Sequence, residues 1–249
     1  MRSSRFGVVL AFWLALCFAL PALAQTTFDH APWDAALKVA VKDGRVDYAA
    51  LSRDPRVAEY VGRLAAFDPA QLPTREARLA FWLNAYNVLA VSGVLAHYPG
   101  LKSVSDVAPD FGFFKAQSYK VGGKALSLND IENDIVRKTF ADARVHAALN
   151  CASTSCPPLR AEAFQPETLE RQLDEQMRRF VRDASRNRIV AATGEVRLSS
   201  IFDWYKDDFK GVGAFVSRYL DAPEAAAVLA AEKAGKLGFL PYDWSLNGR

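Results

Sequence analysis

One stretch limits this chain more than any other: from Leu79 to Ala96 it carries no charged residue. Thr74, an N-cap type, precedes it, Glu76 suits a first turn, and Pro99-Gly100 follows it. These signals predict one helix over Thr74–Tyr98. A helix without charges is either a membrane span or the middle of a core. Asn84, Asn87, Ser92 and Gly93 interrupt the apolar run, it is barely long enough for a bilayer, and Arg75 and Arg78 crowd one end. The expectation is a core helix, buried nearly all round.

Around it, hairpins and helices alternate without a βαβ rhythm, which predicts an α+β fold: a central helix with a small, mostly antiparallel sheet and several peripheral helices. Helices are expected over Trp33–Val41, Pro55–Ala66, from Ser127 to Lys138, from Pro166 to Asp183, and over 212–220 and 222–234. Arg45–Leu51, Arg144–Leu149 and Leu237–Trp244 read as extended. Gly122-Gly123 and Thr193-Gly194 mark two hairpin turns. Ser127/Asp130 and Ser200/Asp203 have capping-box spacing.

The N-terminus reads as a leader. Arg2 and Arg5 precede the apolar run Phe6–Leu20, Pro21 breaks it, and Ala22-Leu23-Ala24 supplies small residues for a signal peptidase. Cleavage after Ala24 would leave residues 25–249 as a single domain, periplasmic or secreted, with no membrane span. A retained anchor is the alternative. Leu16 stands where a lipobox at Cys17 would need a small residue. Lys and Arg number 31 against 28 Asp and Glu, and losing Arg2 and Arg5 brings the balance almost to neutral. That argues against a nucleic-acid partner. No cofactor or metal is expected, and the partner would be an unidentified small-molecule or peptide-like substrate.

The chemistry-bearing residues cluster between Arg144 and Arg160. His146, Cys151 and Cys156 occur there among small polar residues. One reading makes Cys151 a thiol nucleophile and His146 its base, with Asn87 or Asp243 orienting the imidazole. Backbone amides of Ala152, Ser153 and Ser155 would then hold an oxyanion. A second reading makes Cys151 and Cys156 a structural disulfide in a non-catalytic envelope binding domain. A third makes His146, Cys151 and Cys156 zinc ligands, without an evident fourth. Asn84 and Asn87 share a helix face, and as buried amides they need partners. Asn84 and Glu132 are expected to be structural buried polar groups, His97 a partner of the helix C-terminus, and His30 a surface residue.

Three motifs together resemble the domain-of-unknown-function family DUF547, as an exported bacterial member. They are Phe81-Trp82-Leu83-Asn84-Ala85-Tyr86-Asn87, then Val145-His146 through Cys151 to Ser155-Cys156-Pro157-Pro158-Leu159, then Phe202-Asp203-Trp204-Tyr205-Lys206-Asp207-Asp208-Phe209. The resemblance spans roughly Ala77 to Trp244 and brings no activity with it. It implies that plant members carry Ser where Cys156 stands and keep the position of Cys151, which shifts weight toward Cys151 as a functional thiol. A distant likeness to papain-like thiol hydrolases is limited by residue order: here the central helix offers asparagines, and the cysteine follows the histidine.

Overall fold

The computed structural model describes residues 26–249; the expected leader and its cleavage site lie outside the described residues. The fold is α+β, with small sheets set among many helices. At its centre runs the helix Arg75–Leu95, 21 residues long. Thr74 caps it by accepting from the Ala77 N–H, as the sequence suggests. From Leu79 to Val91 every residue is buried. Gly93 has a packing reason, since a Cβ there would fall 2.5 Å from the Tyr119 hydroxyl and 3.0 Å from the Phe113 ring. Among the described residues no helix is long and apolar enough to cross a membrane.

Helices Ala31–Ala40 and Pro55–Ala66 pack beside the central helix. The hairpin Tyr119–Val121/Lys124–Leu126 turns at Gly122-Gly123, both at positive φ. Ser127 and Asp130 exchange the two bonds of a capping box, opening a π-helical stretch over Asp130–Arg137. A second core lies under helix Leu169–Val181 and a three-stranded sheet. In that sheet Arg188–Val190 pairs antiparallel with Glu195–Ser199, which pairs in parallel with Gly238–Leu240.

Four sequence expectations are corrected. Arg144–Leu149 is not a strand: Val145–Ala148 forms a helical turn, and Val145 to Asn150 are all buried, without alternation. Asp142 starts it by accepting from the Arg144 N–H, and Ala147-Ala148 favour helix. The extended segment at Arg45 stops at Val46, because Asp47 caps helix Tyr48–Ser52 through the Ala50 N–H. Ser199, not Ser200, caps the helix Ser200–Trp204; Ser200 instead donates to the Leu240 carbonyl. The closing strand covers only Gly238–Leu240, and beyond it residues 243–247 run along the cysteine loop.

Candidate active site

The loop carrying Cys151 is fixed by buried asparagines. Asn87, on the central helix, donates to the Ala148 carbonyl at 3.0 Å and accepts from the Asn150 N–H at 2.8 Å. Asn150 donates to the Pro157 carbonyl and accepts from the Ala152 N–H. It also accepts from Asn247, which in turn accepts from the Tyr48 hydroxyl. Arg186 clamps the far side, donating to the Cys156 carbonyl at 2.7 Å and the Thr154 carbonyl at 2.8 Å. The C-terminal segment closes the loop through Thr154 N–H to the Ser245 carbonyl, Ser155 N–H to the Asp243 carbonyl, and Asn247 N–H to the Ala152 carbonyl. Satisfied buried networks of this kind hold one geometry.

This bracing holds Ala152 at φ +62°, a left-handed conformation unusual for a residue with a side chain. The turn gathers donors around one sulfur. Cys151 Sγ lies 3.0 Å from Ser153 Oγ and 3.1 Å from the Tyr242 hydroxyl. Burial raises its pKa, but hydrogen bonds from Cys156, Ser153 and Tyr242 outweigh burial and lower it to about 7. Burial and the neighbouring Cys151 push the Cys156 thiol up, so Cys156 is the member that keeps its proton. Both cysteines are free thiols, Cys151 half-buried and Cys156 buried. The Cys151 N–H points at Cys156 Sγ, 2.8 Å away.

His146 faces a different set of partners. Its Nε2 lies 2.7 Å from Asp208 Oδ2. Asp208 is gripped by Arg137 through Nε at 2.7 Å and Nη2 at 3.1 Å, and that pair holds its carboxyl below the usual range. Burial lowers the His146 pKa, against the opposing pull of Asp208. The imidazole is therefore neutral at neutral pH. An ionised carboxylate only accepts, so Nε2 carries the proton and Nδ1 keeps a free lone pair. Tyr205 stacks on the ring at 4.0 Å, with the Arg137 guanidinium 4.7 Å from the other ring's centre and Glu132 accepting from the Tyr205 hydroxyl.

Sulfur and imidazole line one cavity of about 410 Å³. Its walls are largely aromatic, with Phe111, Phe114, Trp204, Tyr205, Tyr242 and Trp244 among them. Trp204 and Trp244 stack at 5.8 Å, and Phe111 and Trp204 are each about half exposed at the rim. Size and character match ordinary small-molecule sites. Among the described residues no hydrogen bond joins His146 to Cys151.

The expected site residues separate under this geometry. His146, Cys151 and Glu132 reach the cavity. Asn87 does not orient the imidazole, because both ends of its amide are committed to the loop backbone. Asp243 is exposed and accepts from the Ser245 N–H; the orienting carboxylate is Asp208. Ala152, Thr154 and Ser155 offer no oxyanion hole, since their N–H groups are bound to Asn150, Ser245 and Asp243. The Ser153 N–H helps to lower the Cys151 pKa. Asn84 is buried, donating to the Phe164 carbonyl and accepting from the Phe164 N–H, with His30 Nδ1 3.3 Å from the same amide nitrogen. Glu132 is only half-buried.

His30 is not a surface residue: it is 3% exposed, and its Nδ1 meets the Tyr60 hydroxyl at 2.6 Å. His97 is exposed at the end of the central helix, 3.4 Å from the Gln117 amide. Among the described residues no group of three or more His, Cys, Asp or Glu side chains is placed to hold a metal ion, so the zinc reading finds no ligand set. Asp208, Tyr205 and Tyr242 carry parts of the site that residue-by-residue reading left without a role. Two of them stand in the third motif quoted above.

No curated protein and no solved structure matches the chain. Residues 69–181 match the model of a family described as "Protein of unknown function, DUF547". The matched segment contains Asn84, Asn87, Glu132, His146, Cys151 and Cys156. The central helix and the cysteine loop that it braces thus lie in a segment that belongs to the DUF547 family.

Proposed function

We propose that the protein is an exported thiol-dependent enzyme of the hydrolase or acyl-transferase type. The observation that carries this reading is a partly buried sulfur, ringed by hydroxyl and thiol donors, in the same cavity as a neutral imidazole backed by an arginine-bound carboxylate. The two groups divide the work. Donors around Cys151 stabilise its thiolate, so the sulfur does not need the imidazole to ionise it. The thiolate attacks an acyl carbonyl, the bond from that carbon to the leaving group breaks, the leaving group takes a proton from solvent, and an acyl thioester remains on Cys151. His146 then uses Nδ1 to take a proton from the incoming water or acceptor, while Asp208 stabilises the imidazolium that forms. The Tyr242 hydroxyl, 3.1 Å from the sulfur, turns from the thiolate to a carbonyl oxygen bonded there. The aromatic walls favour an apolar acyl group over a charged one.

The test is to incubate the protein with a phenylacetyl thioester, quench in acid and map the adduct. The reading expects acylation on Cys151 alone and no turnover by Cys151→Ser in a folded protein. Turnover retained in Cys151→Ser overturns it.

A further inference from the structure

The two cysteines of the loop differ in ways that suit a second chemistry. Cys151 is partly buried in the cavity wall, whereas Cys156 is only 2% exposed. The Cys156 sulfur is 2.8 Å from the backbone nitrogen of Cys151, within reach of the Cys151 side chain. The residues between them turn back on themselves, with Ala152 left-handed and the Cys156 N–H bonded to the Ser153 carbonyl. Acyl transfer uses the second thiol only as a hydrogen-bond donor to the first. Arg186 and residues 243–247 brace the loop from outside, so it keeps its course without a covalent bond.

We propose that Cys151 and Cys156 are a peroxidatic and resolving pair that reduces hydroperoxides. The Cys151 thiolate attacks the terminal oxygen of a hydroperoxide, an S–O bond forms and the O–O bond breaks. The departing alkoxide takes a proton and leaves as an alcohol, or as water when the oxidant is hydrogen peroxide. Cys151 is then a sulfenic acid. The Cys156 sulfur attacks the Cys151 sulfur, a disulfide forms, and the hydroxyl leaves as water with the Cys156 proton. Sulfur has given two electrons to the peroxide, and a dithiol reductant restores both thiols. Accessible, donor-stabilised thiolates beside a resolving cysteine are the sites where this oxidation concentrates. While the disulfide stands, Cys151 is withdrawn from acyl chemistry.

The experiment treats the fully reduced protein with hydrogen peroxide, with and without dimedone, and reads intact mass and peptide maps. The wild type should lose the mass of two hydrogens and take up no dimedone. Cys156→Ser should carry dimedone on Cys151, and Cys151→Ser should show neither product. Oxidation should run at least about tenfold faster than that of free glutathione at neutral pH, as expected when a larger share of the sulfur is thiolate. A wild-type protein that oxidises no faster than glutathione overturns the proposal. So does Cys156→Ser without a dimedone adduct, with near-ultraviolet circular dichroism confirming its fold. The thioester assay separates this proposal from acyl transfer. Acylation of Cys151 without peroxide reactivity overturns the redox pair alone. Disulfide formation without acylation overturns only the acyl-transfer reading.

Discussion

The two walls of the cavity hold their reactive atoms by opposite means. On the sulfur wall every partner is formally neutral: Ser153, Tyr242 and Cys156 surround Cys151, and asparagines brace the loop behind. On the imidazole wall the partners are ions: Asp208 and Arg137, with Glu132 one residue away through Tyr205. Neutral donors lower a thiol pKa without placing a fixed countercharge beside the substrate. An ion pair fixes a tautomer and compensates a transient positive charge. Under the proposed function the sulfur wall supplies the nucleophile and the imidazole wall the base, and the two need no mutual hydrogen bond.

The largest break in this comparison is Asp208→Asn. It removes the charge and lets an amide N–H face Nε2, so the imidazole tautomer is no longer fixed, and turnover should fall by roughly 10²- to 10⁴-fold. Acylation of Cys151 should persist, so a burst without turnover in stopped-flow assays is the expected signature; loss of burst and turnover together would tie the imidazole to the sulfur directly.

Replacing either central-helix asparagine sharpens the contrast between bracing and chemistry. Asn84→Ala and Asn87→Ala each strand a buried N–H and a buried carbonyl, at a cost of about 3 kcal/mol in denaturant unfolding. Only Asn87→Ala should also slow alkylation of Cys151, because only Asn87 holds the cysteine loop. Equal alkylation rates in the two variants would show that the loop keeps its shape without that amide.

The smallest expected effect is that of Tyr242→Phe, which removes one of the sulfur's donors. Thiolate reactivity at neutral pH should drop by about tenfold, the worth of one hydrogen bond to a charged group, while the pH dependence of the imidazole step stays in place.

Much of the scaffold was legible locally. The central helix announced itself by its missing charges, its Thr74 cap and its buried amides, and the Gly122-Gly123 turn by its chemistry. The Val145–Ala148 turn was not legible as helix, because a four-residue helix has too few positions to show a period. The signal that could have found it was Asp142 as a starting residue, together with Ala147-Ala148. At the site, Cys151 and His146 stood out by residue type, while Asp208 is 62 positions from its imidazole and was read only as part of an aromatic motif. The oxyanion role of Ser155 fails for a related reason: its partner, Asp243, comes from the far end of the chain. His30 reads as a surface residue because nothing nearby in sequence reveals Tyr60 and Asn84 closing over it.

The measurement closest to the central claim is the rate of iodoacetamide alkylation of each cysteine against pH, read by mass spectrometry on the reduced protein. The account predicts a titration at Cys151 with a midpoint at about 7, the rate rising with pH as the thiolate forms, and Cys156 protected throughout. A midpoint in the ordinary thiol range at Cys151, or preferential labelling of Cys156, would contradict it.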